Sequence, residues 1–89
     1  MKFEWDIKKE KINIEKHGIS FKTASLVFND ENRIEYYDQL HSADEDRFIT
    51  IGLVGKVIVV VYTERLSKYR IISARPATKE ERRRYYNAW

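Results

Sequence analysis

The chain has 89 residues, enough for one domain spanning 1–89 and too few for a second hydrophobic core. It contains no cysteine, which excludes disulfides, thiolate metal sites and cysteine nucleophiles. Residues 1–46 carry seven Lys/Arg against eleven Asp/Glu, a net −4, whereas residues 47–89 carry ten against three, a net +7. A basic half of this kind is typical of proteins that bind nucleic acid, although solvated surface arginines would give the same count.

The N-terminal third predicts a short strand followed by two helices. Phe3 to Trp5 alternates apolar and acidic residues, and Asp6 stands at the N-cap of a helix that ends at His17-Gly18. Ser20 can cap a second helix, whose apolar residues Phe21, Ala24, Val27 and Phe28 recur at helical spacing. The polar run 29–32 predicts the turn that ends it.

After residue 32 the spacing of the apolar residues changes from that of helices to that of strands. We predict strands over 33–38, 48–54, 57–63 and 69–75, with a polar loop over 39–46 and Gly55-Lys56 as a hairpin turn. Pro76 closes the last strand because it has no N–H for the ladder. Thr78 and Glu81 form a capping box that begins a final helix through Trp89.

The resulting order, β-α-α-β-β-β-β-α, predicts an α+β domain. Consecutive strands joined by tight turns indicate an antiparallel sheet, and we expect the helices to pack over one of its faces. Trp5 is expected in the core.

Several blocks of this sequence, in this order, resemble the BrnT family of toxins. The blocks are Phe3-x-Trp5-Asp6-x-x-Lys9, Lys16-His17-Gly18-Ile19-x-Phe21, Asp38-x-x-His41-Ser42-x-x-Glu45-x-Arg47 with Ile51-Gly52, Thr63-Glu64-Arg65, Arg70-Ile71-Ile72-Ser73-Ala74-Arg75-x-Ala77 and Glu81-Arg82-x-x-Tyr85. The resemblance implies a RelE-like fold, a compact antiparallel sheet flanked by two N-terminal helices and one C-terminal helix. It also implies ribonuclease activity, neutralisation by a BrnA-type antitoxin, and contact with operator DNA only through the complex with that antitoxin.

RNA cleavage without a metal needs a base for the 2′-hydroxyl, positive charge for the phosphorane-like transition state and an acid for the leaving oxygen. Arg65 and Arg75 are the candidates for the positive charge, since guanidinium presents forked donors to phosphate. Each of the two arginines lies at the end of a predicted strand, and both could equally be ordinary exposed arginines. If their two strands form a tight hairpin, the two arginines lie about 16 Å apart, too far to share one phosphate.

Two further residues are candidates for proton transfer. Glu64 could act as a base if burial raised its pKa, but a cross-strand ion pair with Arg70 is the more ordinary role. His17 could act as an acid or base, or could simply complement the dipole of its helix. The predicted catalytic residues are therefore His17, Glu64, Arg65 and Arg75.

A second group of residues is expected to hold RNA, by ion pairing with phosphate or by stacking on bases. Tyr85 and Trp89 could instead pack the last helix onto the sheet. The Asp38, His41 and Ser42 cluster lies in one loop, so we expect it to order that loop rather than to form a catalytic triad. The residues predicted to bind RNA are Lys16, Arg47, Arg70, Arg82 and Tyr85.

No metal or other cofactor is expected, since the sequence has no cluster of ligands at metal-binding spacing. The charged N-terminus lacks the apolar segment of a signal peptide, and the longest apolar run, 57–62, is too short to cross a membrane, so a cytoplasmic protein is predicted. Two other functions remain open at this point. They are a toxin that acts on DNA gyrase, as ParE-like proteins do, and a non-catalytic module that binds nucleic acid.

Overall fold

A computed structural model describes residues 2–88 and gives five strands and three α-helices within them. A single turn of 3-10 helix, Leu26–Asn29, extends the second helix, and another, Gln39–His41, lies in the predicted loop. The elements are β1 (Lys2–Trp5), α1 (Ile7–His17), α2 (Phe21–Ser25), β2 (Ile34–Tyr37), β3 (Phe48–Val54), β4 (Lys56–Arg65), β5 (Lys68–Pro76) and α3 (Lys79–Asn87).

The predicted helix ends are confirmed by their hydrogen bonds. The Asp6 carboxylate accepts from two backbone N–H groups at the start of α1, and Gly18 ends that helix in the left-handed region, at φ 69°. Thr78 and Glu81 make both hydrogen bonds of a capping box at the start of α3. These bonds satisfy backbone donors and acceptors that a helix end leaves without partners.

The strand order is β1-β5-β4-β3-β2. Strands β2 to β5 form the expected antiparallel meander, but β1 pairs with β5 in parallel, so the expectation of an all-antiparallel sheet was wrong. Parallel neighbours need a long connection between them, and here the whole segment from α1 to β4 supplies it.

Helices cover both faces of the sheet, which corrects the expectation that they share one face. Strand β4 explains why, because its run Val57–Val60 is buried at every position and therefore presents apolar side chains on both faces. On the first face Ile58 and Val60 pack with α2, and on the second face Val57 and Val59 pack with Tyr85 of α3. Trp5 packs against the core of the first face, as expected.

Helix α1 also closes the part of β5 that extends beyond β1. The buried Asn13 side chain donates to the backbone oxygens of Ala74 and Ile19, and its own oxygen accepts from the Ala74 N–H at 3.1 Å. The amide thus completes the ladder of β5 as a neighbouring strand would. This contact fixes the C-terminal end of α1 beside residues 72–74 of the sheet.

Candidate nucleic-acid interface

The second face of the sheet is open at the end that α3 does not cover. Ile49, Val61 and Ser73 line the floor of a groove of about 390 Å³ there, and the loop over 38–47 lines one side. Side chains alternate between the two faces of a strand, so Ser73 and Arg75 project from β5 on this same side. The other residues that line the groove are Asp38, Leu40, His41, Arg47, Ile72 and Arg75.

Arg47 lies at the centre of this region, where the loop enters β3. Its backbone is held on both sides, because its N–H donates to the Ser42 hydroxyl at 2.9 Å and its carbonyl accepts from the Asp38 N–H. Its side-chain Nε is buried and has no hydrogen-bond partner, and Arg47 forms no ion pair within residues 2–88. Arg47 also lines the groove, so a guanidinium charge without a carboxylate partner among the described residues faces it and favours an anionic ligand.

Arg75 reaches the groove from the end of β5 and is fixed by Glu81. The two side chains form a bidentate pair, with N–O distances of 2.7 and 2.8 Å, and the same Glu81 carboxylate accepts from the Thr78 N–H. This pairing, despite partial burial, lowers the pKa of Glu81 to about 2 and raises that of Arg75. Because the Arg75 side chain is still 41% exposed, its remaining donors can meet a phosphate in the groove.

His41 is the residue that the sequence analysis did not select. Its Nδ1 lies 3.0 Å from the Asp38 carboxylate, whose side chain is only 11% exposed, whereas the His41 side chain is 65% exposed. The Ser42 hydroxyl donates to the Asp38 backbone oxygen at 2.5 Å, so the expected network that orders the loop is present. The same network fixes the imidazole at the groove, and the spacing Asp38-x-x-His41 was the available signal for this pair.

Arg65 belongs to a second pocket, of about 480 Å³, on the other side of Arg47. It binds the Glu45 carboxylate through Nε and Nη2, at 3.0 and 2.9 Å. In the register of the hairpin, Arg65 of β4 lies opposite Lys68, and Arg75 of β5 lies opposite Val59 of β4. The two arginines are therefore six positions apart along β4, roughly 20 Å at about 3.3 Å per residue. The structure does not bring Arg65 and Arg75 together at one phosphate.

Lys16 and His17 line a third, smaller depression of about 210 Å³ at the end of α1. It shares Ile72 and Ser73 with the groove, and Ile72 is the extra residue of a β-bulge in β5. The bulge therefore lies between the α1 depression and the groove, and both predicted residues adjoin the groove across it.

Glu64 and Arg70 differ from the expectation that they form a cross-strand pair. The register places Glu64 opposite Tyr69 and Arg70 opposite Thr63, so their side chains project from opposite faces. Arg70 instead binds Glu4 at 2.9 Å on the face of the groove. Glu64 lies on the face away from the groove, which argues against its predicted role as a base.

Helix α3 contributes less to the interface than predicted. Tyr85 is 2% exposed and donates its hydroxyl to Asp30 at 2.5 Å, which argues against the predicted contact with RNA and favours the packing alternative. Arg82 is exposed and donates to the Ala77 carbonyl at 2.9 Å. The proposed packing role of Trp89 lies outside the described residues.

Within residues 2–88 no three histidine, aspartate or glutamate side chains are grouped so that they could hold a metal ion. None of the helices in that range is both long and apolar enough to span a bilayer.

Two comparisons relate this chain to known proteins. Residues 5–81 match the family model described as the ribonuclease toxin BrnT of type II toxin–antitoxin systems. The crystal structure of the Brucella abortus ribonuclease toxin BrnT is similar, with 27% sequence identity and a TM-score of 0.71 over 89% of this chain and 99% of that one. No curated protein matches the sequence significantly. Since the family model covers most of the length, the chain belongs to the BrnT family of ribonuclease toxins of type II toxin–antitoxin systems.

Proposed function

We propose that this chain is an endoribonuclease that cleaves RNA in the groove without a metal ion. The observation that carries the proposal is that the His41–Asp38 pair and Arg47 line the same groove, and Arg47 forms no ion pair among the described residues. These residues bring a group able to transfer protons and a positive charge to one groove, as cleavage of a phosphodiester requires.

His41 acts as the base. With Asp38 accepting from Nδ1–H, the Nε2 atom carries the lone pair and can take the proton of the 2′-hydroxyl. The 2′-oxygen then attacks the adjacent phosphorus, the bond to the 5′-oxygen breaks, and a 2′,3′-cyclic phosphate remains. Asp38 positions the ring and stabilises the imidazolium that forms.

Arg47 and Arg75 hold the non-bridging oxygens of the phosphate, whose negative charge increases in the transition state. His17 is the proposed acid for the leaving oxygen, since its depression adjoins the groove across Ile72 and Ser73. Lys16, Arg70 and Arg82 are proposed to bind the phosphates of flanking nucleotides.

The proposed partner is a BrnA-type antitoxin that covers the groove, because masking the open end of the sheet blocks RNA most directly. Operator DNA would be bound only through that complex. The proposed location is the cytoplasm, and the proposed result of free toxin is loss of translation and growth.

The test is cleavage of a defined RNA by the purified chain in the presence of EDTA. We expect His41→Ala to lower kcat by about 10²-fold or more, the usual contribution of a general base, while Lys22→Ala on α2 keeps full activity. Circular dichroism must show that both variants are folded. Retained activity in His41→Ala, or activity that EDTA abolishes, would refute the proposal.

Expression in a bacterial host separates this proposal from the two alternatives. Growth arrest with degraded RNA supports the ribonuclease. Arrest with intact RNA and damaged DNA would indicate a toxin that acts on gyrase, and binding of RNA without turnover would indicate a binding module.

A further inference from the structure

We infer that Arg65 supports RNA cleavage indirectly, because it binds Glu45 and keeps that carboxylate away from Arg47, which stays free to bind phosphate. Arg65 is then a positioning residue that does not contact the cleaved phosphate. This inference rests on the proposed ribonuclease function, in which Arg47 holds the non-bridging oxygens, and it adds the way in which the charge of Arg47 is kept available.

The hydrogen bonds between Arg65 and Glu45 engage the whole carboxylate. Nε and Nη2 of Arg65 donate to the two different oxygens of Glu45, at 3.0 and 2.9 Å. A bidentate arrangement of this kind fixes the plane of the carboxylate as well as its position. Because Arg65 is the last residue of β4, it ties Glu45 to the sheet instead of leaving it free to move with its own loop.

Glu45 is a carboxylate that Arg47 could otherwise bind. The two side chains line the same pocket and are two positions apart in the sequence. The hydrogen bonds from Arg65 are the main cause of the lowered pKa of Glu45, and the nearby charge of Arg47 lowers that pKa further. Glu45 and Arg47 are therefore within electrostatic reach of each other. Without Arg65, their attraction is expected to bring the Glu45 carboxylate onto the guanidinium of Arg47.

The other carboxylates around Arg47 leave its charge available. Asp38 lines the groove and is bound to His41 at 3.0 Å. Asp44 lines the pocket together with Glu45, but within residues 2–88 neither Asp44 nor Arg47 forms an ion pair. Arg47 thus lies between two carboxylates, Asp38 and Glu45, that are each bound to another residue. A phosphate that enters the groove meets a guanidinium that is not neutralised.

Arg65 itself is poorly placed to bind the cleaved phosphate. It lines the pocket and not the groove, and it lies roughly 20 Å from Arg75 along β4. Two of its N–H donors are already used by Glu45. A loss of activity on removal of Arg65 is therefore expected to arise through Glu45.

The experiment compares kcat/KM for cleavage of one defined RNA by the original chain and by variants. Arg65→Ala should lower kcat/KM by about tenfold or more, because Glu45 then neutralises a guanidinium that stabilises the transition state. Addition of Glu45→Gln to Arg65→Ala should restore kcat/KM to within about threefold of the original chain, since glutamine keeps the size of the side chain without its charge. Glu45→Gln alone should change kcat/KM by no more than about twofold, because the charge of Arg47 stays available.

The matched control combines Arg65→Ala with Glu64→Gln. Glu64 is the preceding residue of β4, so its side chain projects from the opposite face of the sheet. The control restores the same net charge but leaves Glu45 free, and kcat/KM should therefore stay about tenfold low. Circular dichroism should show that every variant is folded. The Tm of Arg65→Ala should fall by no more than about 4 °C, because an exposed ion pair contributes little to stability.

A binding measurement separates this inference from the ribonuclease proposal. RNA of the same sequence with 2′-O-methyl groups cannot be cleaved, since its 2′-oxygens cannot attack the phosphorus. Its affinity, measured by fluorescence anisotropy, should fall several-fold in Arg65→Ala. The affinity should recover when Glu45→Gln is added and should not recover when Glu64→Gln is added.

An equal loss of activity in Arg65→Ala with and without Glu45→Gln would show that Arg65 acts on RNA directly, and it would overturn the inference. Recovery through Glu64→Gln, or full activity of Arg65→Ala, would overturn it as well. If the original chain cleaves no RNA, the ribonuclease proposal fails and the binding measurements alone decide the inference. Absence of both cleavage and binding by the original chain would overturn both.

Discussion

Replacement of Glu81 by glutamine tests whether one carboxylate both stabilises the fold and holds Arg75 at the groove. Glu81→Gln keeps an oxygen that can accept from the Thr78 N–H, so the capping box survives in part and mainly the charge is lost. The substitution therefore isolates the ion pair with Arg75.

The size of the effect follows from the pKa of Glu81, which falls from its ordinary 4.5 to about 2 in the folded chain. At about 1.36 kcal/mol per pKa unit this difference corresponds to about 3 kcal/mol. The Arg75 side chain is 41% exposed and solvent screens the pair, so we expect a loss of about 2 kcal/mol in the free energy of unfolding. For a domain of this size that is a fall in Tm of about 10 °C.

The pH dependence of the free energy of unfolding is a stricter test of the Glu81–Arg75 pair. Because the folded pKa is lower than the unfolded one, the stabilisation is complete above pH 4.5 and is lost as the pH falls towards 2. Urea unfolding followed by circular dichroism should give a difference between the original chain and Glu81→Gln at pH 7 that shrinks to near zero at pH 2.

Glu80→Gln is the control, because it removes a neighbouring acidic residue from the same first turn of α3. Glu80→Gln should lower the free energy of unfolding by no more than about 0.5 kcal/mol, the usual contribution of a charge at a helix end. An equal loss in the two variants, or a loss in Glu81→Gln that persists unchanged at pH 2, would refute the reasoning.

Three further substitutions test the packing of the sheet, each by urea unfolding. Asn13→Ala leaves buried backbone groups of β5 without partners and should lower the free energy of unfolding by about 3 kcal/mol. A decrease below about 1 kcal/mol would contradict the role of Asn13 in closing the edge of β5. Gly52→Ala would place its Cβ 2.6 Å from the Val27 side chain, so we expect the free energy of unfolding to fall by about 2 kcal/mol. An unchanged midpoint would show that the 3-10 turn Leu26–Asn29 moves freely. Tyr85→Phe removes the hydroxyl that donates to Asp30 and should cost about 1–2 kcal/mol, with no change in RNA cleavage because the ring is buried.

The sequence predicted the elements well wherever the signal was local. Helix caps such as Asp6 and Thr78, and the apolar strands of the meander, depend on residues a few positions apart. The parallel pairing of β1 with β5 joins Phe3 to Tyr69, and no short pattern in either segment specifies that choice.

The predicted ion pair between Glu64 and Arg70 does not form, and the reason is the register of the hairpin of β4 and β5. The turn between β4 and β5 contains two residues, Leu66 and Ser67, both at positive φ, so Arg65 pairs directly with Lys68. A shift of one residue in register moves a side chain to the other face, which is why Arg70 pairs with Glu4 instead of Glu64.

The candidate site was predicted only in part. Arg47 and Arg75 were selected from their chemistry and from the family blocks, and both line the groove. His41 was taken for an ordering residue because sequence does not show which member of a loop network faces a cavity. Tyr85 was predicted to contact RNA although it is buried, because an aromatic residue on a basic helix suits either a core or a ligand.

The parallel pair of β1 and β5 also has a consequence for the order in which the chain folds. Lys2–Trp5 can take its native place only after Lys68–Ile71 has been synthesised, so Phe3 and Trp5 remain without their sheet partner through most of translation. Contacts between such distant segments form late because the closure of a long loop costs entropy first. The meander is expected to assemble early, and its open β5 edge to be exposed to chaperones or to other nascent chains until the N-terminal segment arrives.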